Sequence, residues 1–322
     1  MRKCLFIASI LLLLIITGSA ISAETNQSGA VNPKAVLVTG ASTGIGRKIT
    51  ETLAAKGYFV YAGARKQEDL DALNKIENVQ ALPLDVTVQD DIDAAVKTIR
   101  DGGRGLYGLV NNAGVAVGGP LIEVSETDLK WLFDVNVFGV YRVTQAFAPL
   151  IMESKGRITT IGSISGILSG TFFGLYSMSK HAIEAYTDAL AQEMARFDVK
   201  VSVIEPGNYK SEIGNTAFKR MKDNGYVRDG SPYAEQLKQL LAQPSDRSQY
   251  KEPDEVADAV LHALFAESPK IRYMVVPNQQ EAAVTINRSL QKAVELNASQ
   301  PYTYSREELV KMLDAALGAG GG

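Results

Sequence analysis

The sequence has few of the side chains that bind transition metals or form disulfides. Its 322 residues include one cysteine and two histidines, too few for a zinc site or a disulfide framework, and we expect no metal. The formal net charge of −3 gives no sign of a nucleic-acid partner. Internal repeats are absent as well. The chemistry must therefore come from hydroxyls, amines, amides or a bound cofactor.

The composition that is present is that of a globular protein. Hydrophobic residues make up 46% and charged residues 21% of the chain, which suits a large core. The length would allow two domains of about 150 residues, but single α/β domains often reach about 250. Motifs along the chain are needed to choose between these organisations.

The first 33 residues differ in character from the rest. Two basic residues precede an apolar run over residues 4–17, and small residues follow as far as Ala23. This order is typical of a secretory signal cleaved after Ala23. Residues 4–23 are also about as many as a bilayer span requires. Residues 1–33 are therefore interpreted as a signal peptide or an uncleaved membrane anchor with a linker. Either makes the protein exported or membrane-associated, and the compartment of the catalytic domain stays open.

A glycine-rich turn lies between a predicted strand and a predicted helix. Residues 34–39 are apolar and rich in branched side chains, as in a buried parallel strand, and residues 47–56 have a helical pattern. In this context glycines let the backbone approach a pyrophosphate, and the helix N-terminus attracts its charge. The turn residues expected to hold a dinucleotide are Gly40, Ser42, Thr43, Gly44, Ile45 and Gly46.

The second predicted strand, residues 58–64, indicates which dinucleotide is bound. It ends without the carboxylate that commonly holds the adenosine ribose hydroxyls. The next residue is Arg65, whose guanidinium suits a 2′-phosphate, although it could also be an ordinary surface arginine. Arg47, just past the glycine turn, could assist. The sequence therefore favours NADP and still allows NAD.

The remaining pattern predicts an α/β fold with a doubly wound parallel sheet, the Rossmann fold, in one domain over residues 34–280. Further strands are expected at 79–84, 105–110, 157–161, 199–205 and 271–276, and helices at 90–101 and 127–150. A long polar segment, about 212–251, follows the sixth strand and is interpreted as a substrate lid. Residues 281–322 are expected to form a helical extension, with a frayed glycine-rich tail from residue 315.

Tyr176 and Lys180 share one face of the helix predicted over residues 176–197. A cation beside a phenol stabilises the phenolate and lowers its pKa from about 10. A tyrosine tuned in this way exchanges protons near neutral pH. Alone, this spacing would indicate an ordinary exposed pair of side chains. Only together with the other motifs does it indicate a catalytic pair.

Together these motifs resemble the short-chain dehydrogenase/reductase family, and in particular its retinol and 17β-hydroxysteroid dehydrogenase branch. The resemblance covers about residues 34–280. The motifs that carry it are the glycine turn 39–46, the Asp85 turn, Asn111-Asn112-Ala113-Gly114, Asn136, Ser163, Tyr176 with Lys180, and Pro206-Gly207.

The resemblance implies a catalytic role for four residues. Tyr176 would be the general acid/base, and Lys180 would lower its pKa and bind the nicotinamide ribose. Ser163 would hold the substrate oxygen, and Asn136 would fix a water that links Lys180 to solvent. Cofactor contacts beyond the glycine turn and Arg65 would come from Asp85, Val86, Asn112, Ala113, Gly114, Tyr176, Lys180, Pro206, Gly207 and Ser211. The physical reasoning agrees, because hydride carries no proton and a carbonyl under reduction needs a separate donor.

The function implied is an NAD(P)-dependent oxidoreductase that transfers hydride between the cofactor and a hydroxyl/carbonyl substrate. The branch suggests a lipophilic alcohol, a steroid or a retinoid. The alternative is a non-catalytic NADP(H)-binding sensor or scaffold with the same fold, although such proteins typically lose the tyrosine or the lysine. The family also implies a homodimer or homotetramer. The apolar faces expected to pair are Val140, Val143 and Phe147 on one helix and Ile183, Tyr186 and Leu190 on the other.

Overall fold

The computed structural model describes residues 33–242, 248–298 and 300–319. The predicted leader, including the apolar residues 4–23, lies outside these ranges apart from position 33. Over the ranges described, no helix is long and apolar enough to cross a membrane.

Seven parallel strands form one sheet in the order β3-β2-β1-β4-β5-β6-β7. The strands are β1 Ala35–Val38, β2 Phe59–Ala64, β3 Val79–Pro83, β4 Gly108–Asn111, β5 Arg157–Ile161, β6 Lys200–Pro206 and β7 Arg272–Val275. The chain winds outward from β1 in one direction and from β4 in the other. This order confirms the predicted doubly wound Rossmann fold and places the switch in strand order between β1 and β4, where such sheets bind ligands.

Helices cover both faces of the sheet. They are α1 Gly44–Ala55, α2 Gln67–Leu73, α3 Gln89–Asp101, α4 Glu126–Phe133, α5 Val140–Glu153, α6 Gly174–Ala195, α7 Ile213–Asp223, α8 Ala234–Ala242, α9 Asp254–Phe265, α10 Gln279–Ala298 and α11 Arg306–Ala319. Side chains of α3, α5 and α6 form the core on one face, and those of α1, α2 and α9 form the core on the other. Burial on both faces explains the continuous apolar runs of the central strands.

The helix predicted over residues 127–150 is interrupted. A π-helical turn, Asp134–Gly139, separates α4 from α5. Gly139 meets the turn that follows β3, since a Cβ there would lie 2.6 Å from Val86 Cγ2. π turns of this kind are frequent at functional sites, and this one contains Asn136.

One boundary differs from expectation near the C-terminus, beyond the lid. The predicted lid contains α7 and α8, and residues 243–247 lie outside the described part. The expectation of a frayed tail from residue 315 is wrong as far as residue 319, because α11 continues to Ala319. Alanine and leucine are strong helix formers, and they outweigh the single glycine at position 318.

The predicted pairing faces of a homo-oligomer are also wrong in part. Val143 and Phe147 are fully buried in the chain's own core, and Val140 and Ile183 are almost so. The apolar periodicity of these helices therefore reports packing within the subunit. On the same part of the chain, the aromatic side chains of Phe138 and Tyr141 are half exposed.

Candidate active site

The glycine turn is held against the end of β4 by Thr39 and Asn112. Thr39 Oγ1 accepts hydrogen bonds from the backbone N–H groups of Asn112 and Ala113, both at 3.0 Å. Asn112 Nδ2 donates to the carbonyl oxygens of Thr39 at 2.9 Å and Gly40 at 3.0 Å. Two predicted cofactor motifs, separated by about 70 residues, are therefore joined at the switch in strand order. Thr39 itself was not predicted.

The glycines of the turn are required by space and by backbone conformation. Gly40 has a φ of 63°, and a Cβ there would lie 2.8 Å from Ala113 Cα. A Cβ on Gly46 would lie 2.3 Å from both Asn112 Nδ2 and the Gly40 carbonyl oxygen. Real side chains do not tolerate such distances. The turn therefore presents bare backbone in front of α1, as binding of a pyrophosphate requires.

The other predicted turn residues and Ser211 occupy nearby positions. Thr43 immediately precedes α1 in an extended conformation. The Ile45 side chain packs against the core, so its backbone is the part left for a ligand. A Cβ on Gly44 would lie 3.3 Å from Ser211 Cβ, which places the loop after β6 against the turn. Ser42, two residues after Gly40, is partly buried.

Lys180 is buried beneath the ends of the strands, close to Tyr176. Its Nζ donates to the Ile161 carbonyl oxygen at 2.8 Å and lies 5.6 Å from the centre of the Tyr176 ring. Burial lowers the pKa of the ammonium from 10.5 to about 8, and the charge of Glu184 opposes this shift. The lysine therefore stays mainly protonated at neutral pH and can stabilise a phenolate at Tyr176.

Ser163 follows β5 and faces the end of β6. Its Oγ lies 3.5 Å from the Pro206 carbonyl oxygen and accepts a hydrogen bond from the Ser165 N–H at 3.1 Å. It caps the short 3₁₀ turn Ile164–Gly166. Its hydroxyl is fixed by the backbone around it, so a substrate oxygen can be held in one orientation.

Asn136 connects the β4 loop to the Tyr176 helix. Its Oδ1 accepts from the Val115 N–H at 2.8 Å, and its Nδ2 donates to the Val115 carbonyl at 2.9 Å and to Ser179 Oγ at 3.0 Å. Ser179 Oγ in turn donates to the Tyr176 carbonyl at 2.7 Å. Ser179 was missed from the sequence, where a small hydroxyl inside a helix is unremarkable. Asn136 and Tyr176 are thus linked through Ser179, while Lys180 is bonded to the last residue of β5, two residues before Ser163.

Comparisons with known proteins show the family to which the chain belongs. The sequence model of the family described as short chain dehydrogenase matches residues 34–222. The chain belongs to the short-chain dehydrogenase/reductase family.

Three curated relatives illustrate the range of the family around this chain. Rat mitochondrial D-beta-hydroxybutyrate dehydrogenase is 34% identical over 271 residues, which cover 77% of this chain and 78% of the relative. An NADPH-dependent 3-dehydrocapnine reductase from Ornithobacterium rhinotracheale is 38% identical over 253 residues, covering 76% and 88%. Rat retinol dehydrogenase 7 is 32% identical over 256 residues, covering 74% and 80%.

Solved structures of the family share the fold. A short-chain dehydrogenase from Streptomyces avermitilis aligns with a TM-score of 0.69 and 30% identity, covering 84% of this chain and 96% of that one. A metagenomic short-chain oxidoreductase in complex with NADP aligns with a TM-score of 0.59 and 26% identity, covering 76% and 97%. This chain is accordingly an oxidoreductase that acts on CH–OH donors with a nicotinamide cofactor.

In this short-chain dehydrogenase/reductase, Arg65 just after β2 and Asp85 just after β3 lie side by side. Arg65 Nη1 is 3.5 Å from Asp85 Oδ2, and the arginine side chain is 66% exposed. Burial raises the pKa of Asp85, but hydrogen bonds from Thr87 and the charge of Arg65 outweigh it, so the net shift is downward. Arg47 does not join them, because its Nε donates to Glu51 at 2.6 Å. The Val86 side chain packs into the core.

The last predicted cofactor contacts lie at the end of β6. Pro206 is the final residue of the strand, and the Gly207 N–H donates to the Val275 carbonyl at 2.8 Å. A Cβ on Gly207 would lie 2.2 Å from Glu281 Oε2, so the start of α10 closes over this turn. Gly207 is therefore needed to let the C-terminal extension approach.

The lid side of the site is fixed by a buried aspartate that the sequence analysis missed. Asp128 on α4 accepts hydrogen bonds from Arg220 Nε at 2.7 Å, from Asn224 Nδ2 at 2.6 Å and from the Tyr226 hydroxyl. Burial raises the pKa of Asp128, but these donors outweigh it and shift the pKa downward. Arg220 also lies over the Trp131 ring, 3.7 Å from its centre. The carboxylate thus attaches α7 and the loop after it to α4.

Proposed function

We propose that this chain transfers hydride between NADP(H) and a lipophilic hydroxyl/carbonyl compound, with Tyr176 as the general acid/base. The observation that carries the proposal is that the glycine turn, Asn136 and the Tyr176–Lys180 pair meet near the switch in strand order, with Ser163 directly after the adjoining strand β5. A non-catalytic sensor needs only the turn, whereas the connected side chains are the parts that proton transfer requires.

The nicotinamide cofactor supplies the hydride, and the bare backbone of the glycine turn fits its pyrophosphate. In the direction of reduction, the Tyr176 hydroxyl donates its proton to the carbonyl oxygen. Ser163 donates a hydrogen bond to the same oxygen and stabilises the negative charge that develops there. The Lys180 ammonium, 5.6 Å from the centre of the Tyr176 ring, would stabilise the phenolate by its charge and would bind the ribose of the cofactor. Asn136 holds the water through which Lys180 exchanges protons with solvent.

The preference for NADP rests on the end of β2. Ala64 offers no carboxylate there, and Arg65 is two-thirds exposed with only a long contact to Asp85. Most of its five N–H donors are therefore available to a 2′-phosphate. The relative that is 38% identical is described as NADPH-dependent, which supports the same choice.

The substrate class is proposed from the surroundings of Tyr176. Its ring packs against an apolar cluster formed by the lid and the elements beneath it. The lid contributes buried Met221, Tyr226 and Leu237, with Phe218 and Tyr233 partly buried around them. A site beside this apolar cluster favours a lipophilic alcohol, steroid or retinoid over a small polar acid, because burial of apolar surface gains about 25 cal/mol per Å².

Two further proposals concern location and assembly. We propose that residues 4–23 export the chain or anchor it to a membrane, and that residues 34–280 form the catalytic domain. We also propose a homodimer or homotetramer, now through the surface that carries the half-exposed Phe138 and Tyr141 rather than through the buried residues. Light scattering of the purified protein tests the second, and a monomer at micromolar concentration would reject it.

The experiment that tests the proposed function is a panel of carbonyls and alcohols assayed by nicotinamide absorbance with each cofactor in turn. We expect turnover with lipophilic secondary alcohols or their ketones, or with retinoid-like aldehydes, and a higher kcat/KM with NADPH than with NADH. Tight NADPH binding with no turnover across the panel would favour the sensor.

A further inference from the structure

Two buried carboxylates close to the catalytic residues have no part in the mechanism above. Glu184 lies on α6, one turn beyond Lys180, with 13% of its side chain exposed. Glu205 lies on β6, and none of its side chain is exposed. Glutamate is rarely buried to this degree without a compensating partner, so the surroundings of both groups matter.

The backbone around Ser163 is shaped to admit Glu184. A Cβ on Gly162 would lie 3.1 Å from Glu184 Oε1, and a Cβ on Gly166 would lie 2.8 Å from it. Glycine at both positions leaves room for the carboxyl group directly against the segment that carries Ser163. The chain therefore leaves space for the Glu184 carboxyl group both before and after Ser163.

One guanidinium serves both carboxylates and a third. Arg272 Nε lies 2.7 Å from Glu205 Oε1, and its Nη2 lies 2.9 Å from Glu184 Oε2 and 3.1 Å from Asp188 Oδ1. The other charged group facing them from α6 is Lys180, whose Nζ is held by Ile161. With every group ionised, three negative charges would surround two positive ones.

The nearest charges on α10 are already engaged elsewhere. Glu281 accepts from the Asn208 N–H at 2.8 Å, and Lys292 donates to the Ile167 carbonyl at 2.6 Å while lying 3.3 Å from His181 Nε2. Neither supplies a hydrogen bond to the buried pair. The charge balance of the pair is therefore determined by α6, β6 and Arg272 on β7.

The hydrogen bonding of the pair is incomplete unless a proton is present. Across the described residues, no hydrogen bond reaches Glu184 Oε1 or either carboxyl oxygen of Glu205, although all three atoms are buried; Glu205 Oε1 has its ion-pair contact with Arg272. The two carboxyl groups are brought together by the one guanidinium that both of them contact. Two carboxylates cannot bond to one another, but one protonated acid can donate to the other. A single proton held between the two groups would give Glu184 Oε1 and Glu205 Oε2 a hydrogen bond and leave Glu205 Oε1 to Arg272.

We propose that Glu184 and Glu205 share one proton at neutral pH, and that its release at alkaline pH keeps Lys180 charged. Burial raises the pKa of Glu205 to about 8, the charge of Glu184 adds to this shift, and Arg272 opposes it. Burial lowers the pKa of Lys180 to a similar value. As pH rises, the negative charge gained by the pair favours the ammonium beside it, so the two titrations are coupled. Glu184 and Glu205 are thus positioning residues that keep Lys180 in its ammonium form. This role rests on the proposed function.

Infrared difference spectra between about pH 6 and about pH 9.5, either side of the Glu205 pKa of about 8, test the proton directly. The parent should show the carbonyl band of a protonated acid at the lower pH and lose it at the higher. Glu205→Gln and Glu184→Gln should each remove the band. Asp188→Asn is the matched control, because Asp188 contacts the same guanidinium but is half exposed, and it should keep the band. The proposal of a shared proton would be overturned if the parent showed no such band, or if either glutamine variant kept it.

Thermal unfolding supplies a second readout that needs no activity. The native pair holds a proton that an unfolded glutamate releases near its ordinary pKa of 4.5. The stabilisation is therefore complete below about pH 4.5 and is lost as pH rises towards 8. The Tm of the parent should fall over this range relative to that of Glu205→Gln. Parallel curves for the two proteins would contradict the proposal.

The effect on Lys180 is tested by the pH profile of kcat/KM. In Glu205→Gln the pair cannot gain its second charge, so the basic limb should move to lower pH by about one unit, the lower end of the effect of a nearby charge. Asp188→Asn should leave the limb in place. An unmoved limb in Glu205→Gln would remove the positioning role. If neither the parent nor any variant turns over a substrate, the proposed function fails. The infrared band still shows whether Glu184 and Glu205 share a proton.

Discussion

The cofactor side of the site and its lid side are held together by different kinds of contact. On the cofactor side, glycine backbone lies directly against the β4 loop, and the fixing bonds run from Asn112 to carbonyl oxygens and from Thr39. On the lid side, α7 is attached through side chains that converge on the buried Asp128. The first arrangement leaves a ligand surface that few substitutions can alter. The second depends on one carboxylate, so a single substitution at Asp128 would remove three hydrogen bonds that hold the lid.

Removing the lid anchor should produce the largest loss of stability among these predictions. Asp128→Ala leaves the partly buried Arg220 without its partner, and breaking a buried pair costs about 3 kcal/mol or more. The Tm should fall by about 6–12 °C, at 2–4 °C per kcal/mol, while NADPH affinity at a permissive temperature should change little. Calorimetry and a fluorescence titration measure the two effects.

The control for the anchor is Glu126→Ala on the same helix. Glu126 pairs with Lys130 at 2.8 Å, but both side chains are more than 70% exposed, and such pairs contribute about 0.2–1 kcal/mol. A similar fall in Tm for both variants would show that α4, rather than the buried carboxylate, is the sensitive feature. A loss of NADPH affinity in Asp128→Ala would show that the two sides of the site are not separable.

On the cofactor side, Arg65→Ala should have a smaller and selective effect. Losing one charge-assisted hydrogen bond costs about 1.5–3 kcal/mol, which corresponds to about a ten- to hundredfold weaker affinity for NADPH. The affinity for NADH should change little, because NADH lacks the 2′-phosphate. The neighbouring Lys66→Ala is the control, since Lys66 is exposed and contacts Glu68. Equal losses for both cofactors would contradict the assignment.

The smallest effect is expected from removal of residues 1–33. Because β1 begins at Ala35, the truncated chain should fold, bind NADPH within about twofold of the full chain, and keep the same Tm within a few degrees. Cofactor titration of the two proteins checks this. Loss of binding would mean that the leader belongs to the catalytic fold. Mass analysis of the mature chain would decide between cleavage and anchoring.

A structural feature could be predicted from the sequence when its signal lies within a short stretch of the chain. The strands, the glycine turn and the four residues proposed as catalytic could be identified because each lies in a short pattern of its own. The π turn was not, since its Asn136 bonds to Val115 and Ser179, which lie 21 and 43 positions away. The contacts of Asp128 with α7 span more than 90 positions. Such pairings have no signature within a window of sequence.

The prediction of the assembly surface failed for a different reason. A local apolar pattern was taken as evidence for contact between subunits. The helical apolar spacing of α5 and α6 is real, but Val143 and Phe147 point into the subunit's own core. Periodicity reports that a face is covered and does not report by what. Arg47 is similar, because its position near the turn suggested a phosphate contact whereas the nearer Glu51 engages it.

The central claim is that Tyr176 supplies the proton, and Tyr176→Phe tests it most directly. The change removes one oxygen and leaves the ring packed as before, so the fold should persist. Stopped-flow hydride transfer should slow by at least the roughly 10²–10⁴-fold that general acid/base catalysis contributes. NADPH fluorescence titration should give an unchanged Kd, because the glycine turn and Arg65 hold the phosphates. Turnover equal to that of the parent would contradict the account.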